Sequence, residues 1–358
     1  MIKDFIKELK KINPYSEIVE EDTLATITDY ISTGSYILNA VVSGDMLNGG
    51  VPVGRIVTYS GLSEVGKSLL SAMTAANAQK KGYVVVWFDS EWAANKDFFG
   101  RLGVNTKELI RIPVGTVEEF KNQCFKILQV AQEKYPDKKI FFVLDSLGNL
   151  PSEKEMNDVE SGNNASDMGQ RAKVIKNTLK VLTDRLGKQR ATLLIINHIY
   201  GNPTNPYAGN TQSGGQGPVY VSYSVINFTK SKLKGEEKEL IGLILKGTTD
   251  KNRLVPRGKS AEILLNFEKG LDKYYGLLDF ALEAGLVVKD GKKYKNIKDE
   301  KLYWEKDIYV KEFWEPIMVE LNKYVKQNFK FSSVQEDVID ENESKKERKK
   351  KVKEEDSE

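Results

Sequence analysis

The hydrophobic positions of this chain fall into two rhythms. Short, largely apolar runs stand at Ile56 to Tyr59, Val84 to Phe88, Ile140 to Leu144 and Leu193 to Ile196, which is the length and composition of strands buried on both faces. Between them, Ser68 to Lys80, Val117 to Lys134 and Gln170 to Gly187 carry apolar residues at helical spacing. Strands alternating with helices of that length predict crossover units on a mainly parallel sheet, so the fold class is α/β. Beyond Arg190 the pattern changes to strands at Val225 to Lys230, Leu240 to Leu245 and Ser260 to Phe267, then a helix from Tyr275 to Ala284. This predicts a small α+β C-terminal domain beginning near Phe267. At the other end Ile2, Phe5, Ile6 and Leu9 interleave with Lys3, Asp4, Lys7 and Glu8 as in an amphipathic helix, without a secretory core. The expected organisation is an N-terminal segment over 1–30, a core over 31–266, a small domain over 267–331 and a charged tail over 332–358.

Composition narrows the class. Hydrophobic residues make up 40% and charged residues 29%, with a mean hydropathy of -0.44. No apolar run approaches the ~18 residues of a membrane-spanning helix, so an intracellular, cytoplasmic protein without a membrane partner is expected. The single cysteine, Cys124, excludes an internal disulfide or a Cys-rich zinc site and is expected to be buried in a helix. The net charge of +3 conceals a division: Ser332 to Glu358 holds seven Lys/Arg against ten Asp/Glu, leaving 47 against 41 in the body. That tail has no aromatic residue and is expected to be disordered. It reads either as a solubilising tail or as an electrostatic arm that tunes nucleic-acid access.

The sharpest chemical signal is Gly61-Leu62-Ser63-Glu64-Val65-Gly66-Lys67-Ser68, followed by Leu69. It matches G-x-x-x-x-G-K-[ST] directly after a predicted strand and before a predicted helix. Glycines let the backbone curl so that successive N–H groups face phosphates, and the helix N-terminus adds a favourable dipole. Lys67, in what reads as a solvent-exposed loop, would reach the terminal phosphates, and Ser68 would hold magnesium. Two further strands end in carboxylates, where ligands of parallel sheets sit. Asp145 is the candidate magnesium-side acid, and Asp89 or Glu91 can orient or deprotonate an attacking water. An acid after a strand also serves as a helix N-cap, but the phosphate loop upstream favours chemistry for Asp145 and Glu91.

His198, the only histidine, follows the last central strand and precedes Ile199 to Pro218, which contains no Asp, Glu, Lys or Arg in twenty residues. The segment is expected to be a long loop without regular structure that contacts a partner through backbone and amide groups. His198 is either structural or a sensor that passes the state of a terminal phosphate into that loop.

Together, the phosphate loop, FDSEWAA at Phe88 to Ala94, VLDSLGNL at Val143 to Leu150, INH at Ile196 to His198 and the glycine-rich stretch after it resemble the RecA-type DNA recombinases, and their bacteriophage members most. The resemblance runs from about Ile31 through GLLDFALEAGLVVK at Gly276 to Lys289. It implies a RecA-like phosphate-loop ATPase core using ATP and Mg2+, with Glu91 activating water and Asp145 serving the magnesium site. Phe98 matches the aromatic that stacks on adenine, where tyrosine is usual. His198 matches the residue that links the γ-phosphate to the second DNA-binding loop, glutamine in bacterial proteins and histidine in the phage form. Lys251 and Arg253 match two cations that complete a neighbouring subunit's site, and their alternate spacing would put both on one strand face; without the resemblance they read as a solvated pair.

DNA contact is implied for a first loop at about 151–167, for the helix behind it, and for the second loop at 199–218, where Gly214 and Gly215 match paired glycines. On the helix Lys173 and Lys180 match phosphate-touching positions, with Lys176 and Arg171 nearby, although three lysines on one face are also an ordinary solvated stripe. The first loop departs from the family in lacking basic residues across ESGNNASDM.

The expected function is therefore an ATP-dependent homologous recombinase that self-associates into a helical filament on single-stranded DNA and pairs it with homologous duplex DNA. The N-terminal segment would dock on the adjacent subunit, and a recombination mediator and a single-strand-binding protein are the accessory partners to expect. The rivals are a ring helicase on the same core and a non-catalytic ATP-binding mediator. Retention of Glu91, Asp145, Lys251 and Arg253 disfavours the mediator.

Overall fold

The computed structural model describes residues 2–22, 25–162, 168–200, 211–235 and 238–331. The chain opens with α1 (Ile2–Ile12), β1 (Tyr30–Ile31), α2 (Tyr36–Ser43) and β2 (Val51–Pro52), β1 and β2 pairing antiparallel. Five crossover elements follow: β3 (Ile56–Gly61), α3 (Lys67–Lys80), β4 (Val84–Asp89), α4 (Lys96–Arg101) and β5 (Ile110–Pro113). After them come α5 (Val117–Lys134), β6 (Ile140–Asp145), α6 (Glu153–Glu160), α7 (Met168–Gln189) and β7 (Thr192–Tyr200). The sheet is completed by β8 (Thr211–Gln212), α8 (Gly217–Val221), β9 (Ser224–Lys234), β10 (Leu240–Asn252), β11 (Ser260–Asn266) and β12 (Gly270–Leu271). The C-terminal part holds α9 (Leu278–Glu283), β13 (Val287–Asp290), β14 (Lys293–Asn296), β15 (Tyr303–Trp304), α10 (Lys311–Trp314) and α11 (Met318–Phe329).

The central strands run in the order β12-β11-β10-β9-β3-β7-β6-β4-β5, parallel from β9 to β5 and antiparallel from β9 to β12. The strands β3, β4 and β6 are largely apolar on both faces because helices cover both faces of the sheet. Alternation sends Trp87, Phe141 and Leu194 into one core, shared with α2 and α3, and Phe88, Phe142 and Leu193 into the other, shared with α5 and α7. Each of these buried phenylalanine and leucine side chains stabilises the fold by about 1.5–3 kcal/mol. The C-terminal part shares the first core. Asn322 Oδ1 accepts from the Met46 backbone at 2.9 Å, Lys326 pairs with Asp45 at 2.7 Å, and Trp314 stacks on Tyr274.

The sheet continues beyond Phe267 to Leu271. The helix expected from Tyr275 starts only at Leu278, because Asp272 Oδ1 accepts from the Tyr274 and Tyr275 backbones and Gly276 adopts φ +85. Cys124 is buried in α5 as expected.

Both expected loops carry regular structure. Residues 153–160 form α6, because Ser152 and Glu155 make a reciprocal capping box. The segment 199–218 is not free of regular structure: β7 runs through Tyr200, β8 returns antiparallel to it, and α8 opens at Gly217. The centres of these loops, 163–167 and 201–210, and the tail at 332–358 lie outside the described residues. Among the described residues no helix is long and apolar enough to cross a membrane.

Candidate functional site

The phosphate loop leaves the carboxyl end of β3 and enters α3. Two residues in it have positive φ, Glu64 at 59° and Gly66 at 83°. Gly66 is required twice over, since a Cβ there would also lie 3.1 Å from Leu245. No side chain caps α3, so its first N–H groups remain available to an anion. Lys67 is not solvent-exposed. It is 4% accessible and donates to its own loop, to the carbonyls of Gly61 at 2.9 Å and Leu62 at 2.6 Å. Burial lowers its pKa to about 8, with the carboxylates of Asp145 and Glu91 pulling the other way. A second cation, Lys230 on β9, donates to the Glu64 carbonyl at 2.8 Å.

The carboxylates gather where β4 and β6 end side by side, with Asp89 in register with Asp145. Burial first, then the charge of Glu91, raises the pKa of Asp145 to about 7, with a hydrogen bond from Ser68 opposing. The other oxygen of Asp145, Oδ1, is buried without a partner. Glu91 Oε1 accepts from Ser146 Oγ at 2.8 Å and faces His198 Nε2 at 3.2 Å. The His198 contact, then the Ser146 bond, hold Glu91 below the usual carboxylate range against burial. Asp89 occupies a different role, accepting from the backbones of Glu91 and Trp92 and pairing with Arg111. Ser90 staples the two strand ends, its Oγ donating to the Ser146 carbonyl and accepting from the Ser146 backbone.

His198 stands between Glu91 and the second loop. Its carbonyl accepts from the Ser213 backbone at 2.9 Å, and Asn197 Nδ2 donates to the Ser213 carbonyl at 3.0 Å. Beyond them the loop lies on α7: a Cβ on Gly214 would meet Ile175 at 2.8 Å, and one on Gly217 would meet Lys176 at 3.0 Å. Gly215 adopts φ +70 beside Ala172. Lys173, Lys176 and Lys180 are all exposed on α7. Arg171 turns inward instead and donates to the carbonyls of Leu150 at 2.8 Å and Gly148 at 2.6 Å, which ties α7 to the segment after β6.

Lys251 and Arg253 lie toward the amino ends of β3 and β9, away from the phosphate loop. They do not share a regular strand face, because β10 ends at Asn252 and Arg253 falls outside the strand. Even so they converge. Lys251 Nζ donates to the carbonyls of Val219 at 2.9 Å and Tyr220 at 2.6 Å, and Arg253 lies over the Tyr223 ring. Burial, then the charge of Arg253, lowers the pKa of Lys251. Phe98 sits half-buried in α4 against Phe99, 5.3 Å between ring centroids. Among the described residues no group of three or more His, Cys, Asp or Glu side chains is set to hold a metal.

Sequence reasoning missed Ser90, Ser146, Arg111 and Lys230. The two serines stand inside the quoted segments FDSEWAA and VLDSLGNL, so their position after each strand was the available signal. Arg111 sits in β5, which the apolar runs did not predict, and Lys230 ends the predicted strand Val225 to Lys230 with nothing to mark it off from a solvated lysine.

Comparison with known proteins follows the same regions. The model of the RecA N-terminal domain matches residues 2–272. The chain is 28% identical over 302 residues to the "Recombination and repair protein" of Enterobacteria phage T4, covering 81% of this chain and 75% of that one. It is 30% identical over 268 residues to "Protein RecA" of Desulforapulum autotrophicum, covering 73% and 72%, and 27% identical over 264 residues to that of Malacoplasma penetrans, covering 73% and 76%.

Proposed function

Because the chain belongs to the RecA family, we propose that it is an ATP-dependent homologous recombinase, forming filaments on single-stranded DNA and exchanging strands with homologous duplex DNA. The observation that carries this reading is the continuous connection from the phosphate end of the sheet to the second loop: Lys67, Asp145 and Glu91 at one side, His198 touching Glu91, and Ser213 bonded to His198.

The chain's own groups divide the work of hydrolysis. The uncapped N–H groups of α3 and the Lys67 ammonium receive phosphate oxygens, and the ammonium must leave the Gly61 and Leu62 carbonyls to do so. Glu91, kept ionised by Ser146 and His198, accepts a proton from the attacking water. The unpartnered Asp145 Oδ1 with Ser68 beside it fits Mg2+, which is ordinarily held by one or two carboxylates plus substrate phosphates. Magnesium bound there supplies neutralisation of charge on the transferring phosphate. Lys251 and Arg253 cannot serve their own loop from the amino end of the sheet, which supports delivery to the loop of an adjacent subunit.

Self-association is supported by two apolar surfaces. α1 buries none of its residues, leaving Phe5 63% and Ile12 83% exposed. Along β5 and α5 runs a groove of about 420 Å³ lined by Ile110, Ile127, Val130 and Tyr135. DNA contact is assigned to Lys173, Lys176 and Lys180 and to the second loop packed beside them, with Arg171 holding their helix in place.

The deciding experiment measures ATP hydrolysis with and without single-stranded DNA, followed by strand exchange. Strong stimulation and joint-molecule formation are expected. Absence of hydrolysis under every condition would overturn the reading in favour of a mediator, and unwinding without exchange would favour a helicase.

A further inference from the structure

Glu91 reaches its partners only because the turn that carries it is fixed. Asp89, 1% accessible, fixes it: Oδ1 accepts from the backbone N–H of Glu91 at 3.0 Å and of Trp92 at 2.8 Å. Trp92 adopts φ 59, a conformation a non-glycine residue holds only when its surroundings impose it. The remaining oxygen of Asp89, Oδ2, receives a side-on grip from Arg111, Nε at 2.7 Å and Nη2 at 2.6 Å. The Trp92 ring covers the same guanidinium, 5.2 Å from its centroid. Arg111 thus touches both ends of the Asp89 to Trp92 turn, and among the described residues no hydrogen bond or ion pair joins it to the nucleotide loop.

We propose that Arg111 is a positioning residue for ATP hydrolysis, holding Glu91 in its working orientation through Asp89 and Trp92. The inference rests on the reading of Glu91 as the group that activates water. Arg111 stands on β5, the outermost strand, which pairs with β4 and with no other strand among the described residues. Ile110 lines the groove with α5 and Ile112 packs into the same core, so strand alternation sends Arg111 to the opposite face and toward the strand end where Asp89 lies. Asp89 is buried beside two other carboxylates, Asp145 and Glu91, and Arg111 is the cation it pairs with. Removing that cation leaves a buried carboxylate without a counter-charge, and the cheapest relief is for Asp89 to swing toward water and release both backbone N–H groups. A carboxylate displaced by the resulting shift loses alignment with water while the phosphate loop, built on β3 and α3, keeps its grip on nucleotide. Lysine is a poor substitute, since a point charge cannot reproduce the two-point contact on Asp89 together with the guanidinium placed over the Trp92 ring.

The test is steady-state ATP hydrolysis by the full-length protein with saturating single-stranded DNA, comparing wild type, Arg111→Ala, Arg111→Lys and Glu91→Gln. Arg111→Ala should lower kcat by about tenfold to a hundredfold, the scale of a misplaced catalytic group, with KM for ATP and DNA affinity in a non-hydrolysable analogue within about twofold of wild type. Arg111→Lys should fall between the two, and millimolar free guanidinium should restore part of the rate of Arg111→Ala but not of Glu91→Gln. A wild-type kcat in Arg111→Ala, with Glu91→Gln inactive, overturns the proposal and leaves the reading of Glu91 standing. A wild-type kcat in Glu91→Gln overturns that reading and the proposal together. Loss of nucleotide affinity in step with kcat also overturns it. Should Arg111→Ala lose its cooperative melting transition, Arg111→Lys decides, and a wild-type kcat there is the overturning result.

Discussion

At the carboxyl ends of β3, β4 and β6, Lys67, Asp145, Glu91 and Asp89 crowd together, and their bonding capacity is not used up. Lys67 is held by its own loop's carbonyls, Asp145 Oδ1 has no partner, and the start of α3 has no cap. Toward the amino ends of β3 and β9 the situation is reversed. Lys251 and Arg253 face carbonyls and an aromatic ring, no carboxylate pairs with either among the described residues, and the charge of Arg253 raises the cost of charging Lys251. One half has acids and an uncapped helix start where an anion can bind; the other has two cations with no carboxylate partner among the described residues. In the proposed filament these two halves would meet, since a heterologous, open-ended assembly sets one end of a subunit against the opposite end of the next.

The largest expected effect breaks the first half. Glu91→Gln keeps the side chain's shape and its bond from Ser146 but cannot accept a proton from water, so hydrolysis should fall by about 10²–10⁴-fold while ATP-analogue binding and DNA-bound filaments persist. Loss of analogue binding would mean that Glu91 shapes the cradle instead. Next, the pairing of the halves is tested by mixing: Lys67→Ala and the double variant Lys251→Ala/Arg253→Ala should each be inactive alone, and mixtures shown to co-assemble on DNA should regain turnover at junctions that unite the intact halves. A mixture with no activity above its components rules out sharing across the interface.

A smaller effect is expected from His198→Ala. ATP-analogue binding should remain, but the gain in DNA affinity between ADP and the analogue should shrink by about 5- to 150-fold, the range of coupling between linked sites. DNA must lose its tightening of analogue binding by the same factor. An unchanged ratio, measured at one salt concentration, returns His198 to a structural role.

How much of this was readable in the residues alone depends on where each interaction is encoded. The phosphate loop and the acids after β4 and β6 were legible because apolar run, turn and charge are adjacent in sequence. Arg111 was not, because its partner Asp89 is 22 positions away and IRIP carries no periodicity that separates an inward guanidinium from a solvated one. The alternation argument for Lys251 and Arg253 failed for a similar reason: nothing in DKNR marks Asn252 as the end of the strand. Arg171 shared a basic helix with three exposed lysines, and only its contact with the Gly148 and Leu150 carbonyls distinguishes it.

The smallest predicted effect lies away from both ends and serves as their control. Lys326→Ala removes the partner of Asp45 between α11 and α2 and should lower stability by about 1 kcal/mol or less, because the lysine is partly exposed. Burial pushes the Asp45 carboxyl up, but Lys326, the Asn48 backbone and Asn322 together hold it below its ordinary value. A depressed carboxylate stabilises the fold above its unfolded pKa and loses that contribution as pH falls through the folded value. The gap in melting temperature between variant and wild type should therefore close on acidification, with DNA-stimulated hydrolysis unchanged near neutrality; a gap that widens in acid refutes the assignment.

A chain of 358 residues with one histidine carries its own spectroscopic label. The ring protons of His198 give a single imidazole pattern, so no assignment is needed to know which residue is being observed. Its Nε2 faces Glu91 while its own carbonyl holds Ser213. The nitrogen resonances of that ring therefore register which tautomer is present toward the carboxylate, and the carbon-bound protons register movement of the loop beside it. Titrating the DNA-free protein with a nucleotide analogue, and then adding a short oligonucleotide, would follow both ends of the connection at one nucleus, in an otherwise unmodified molecule.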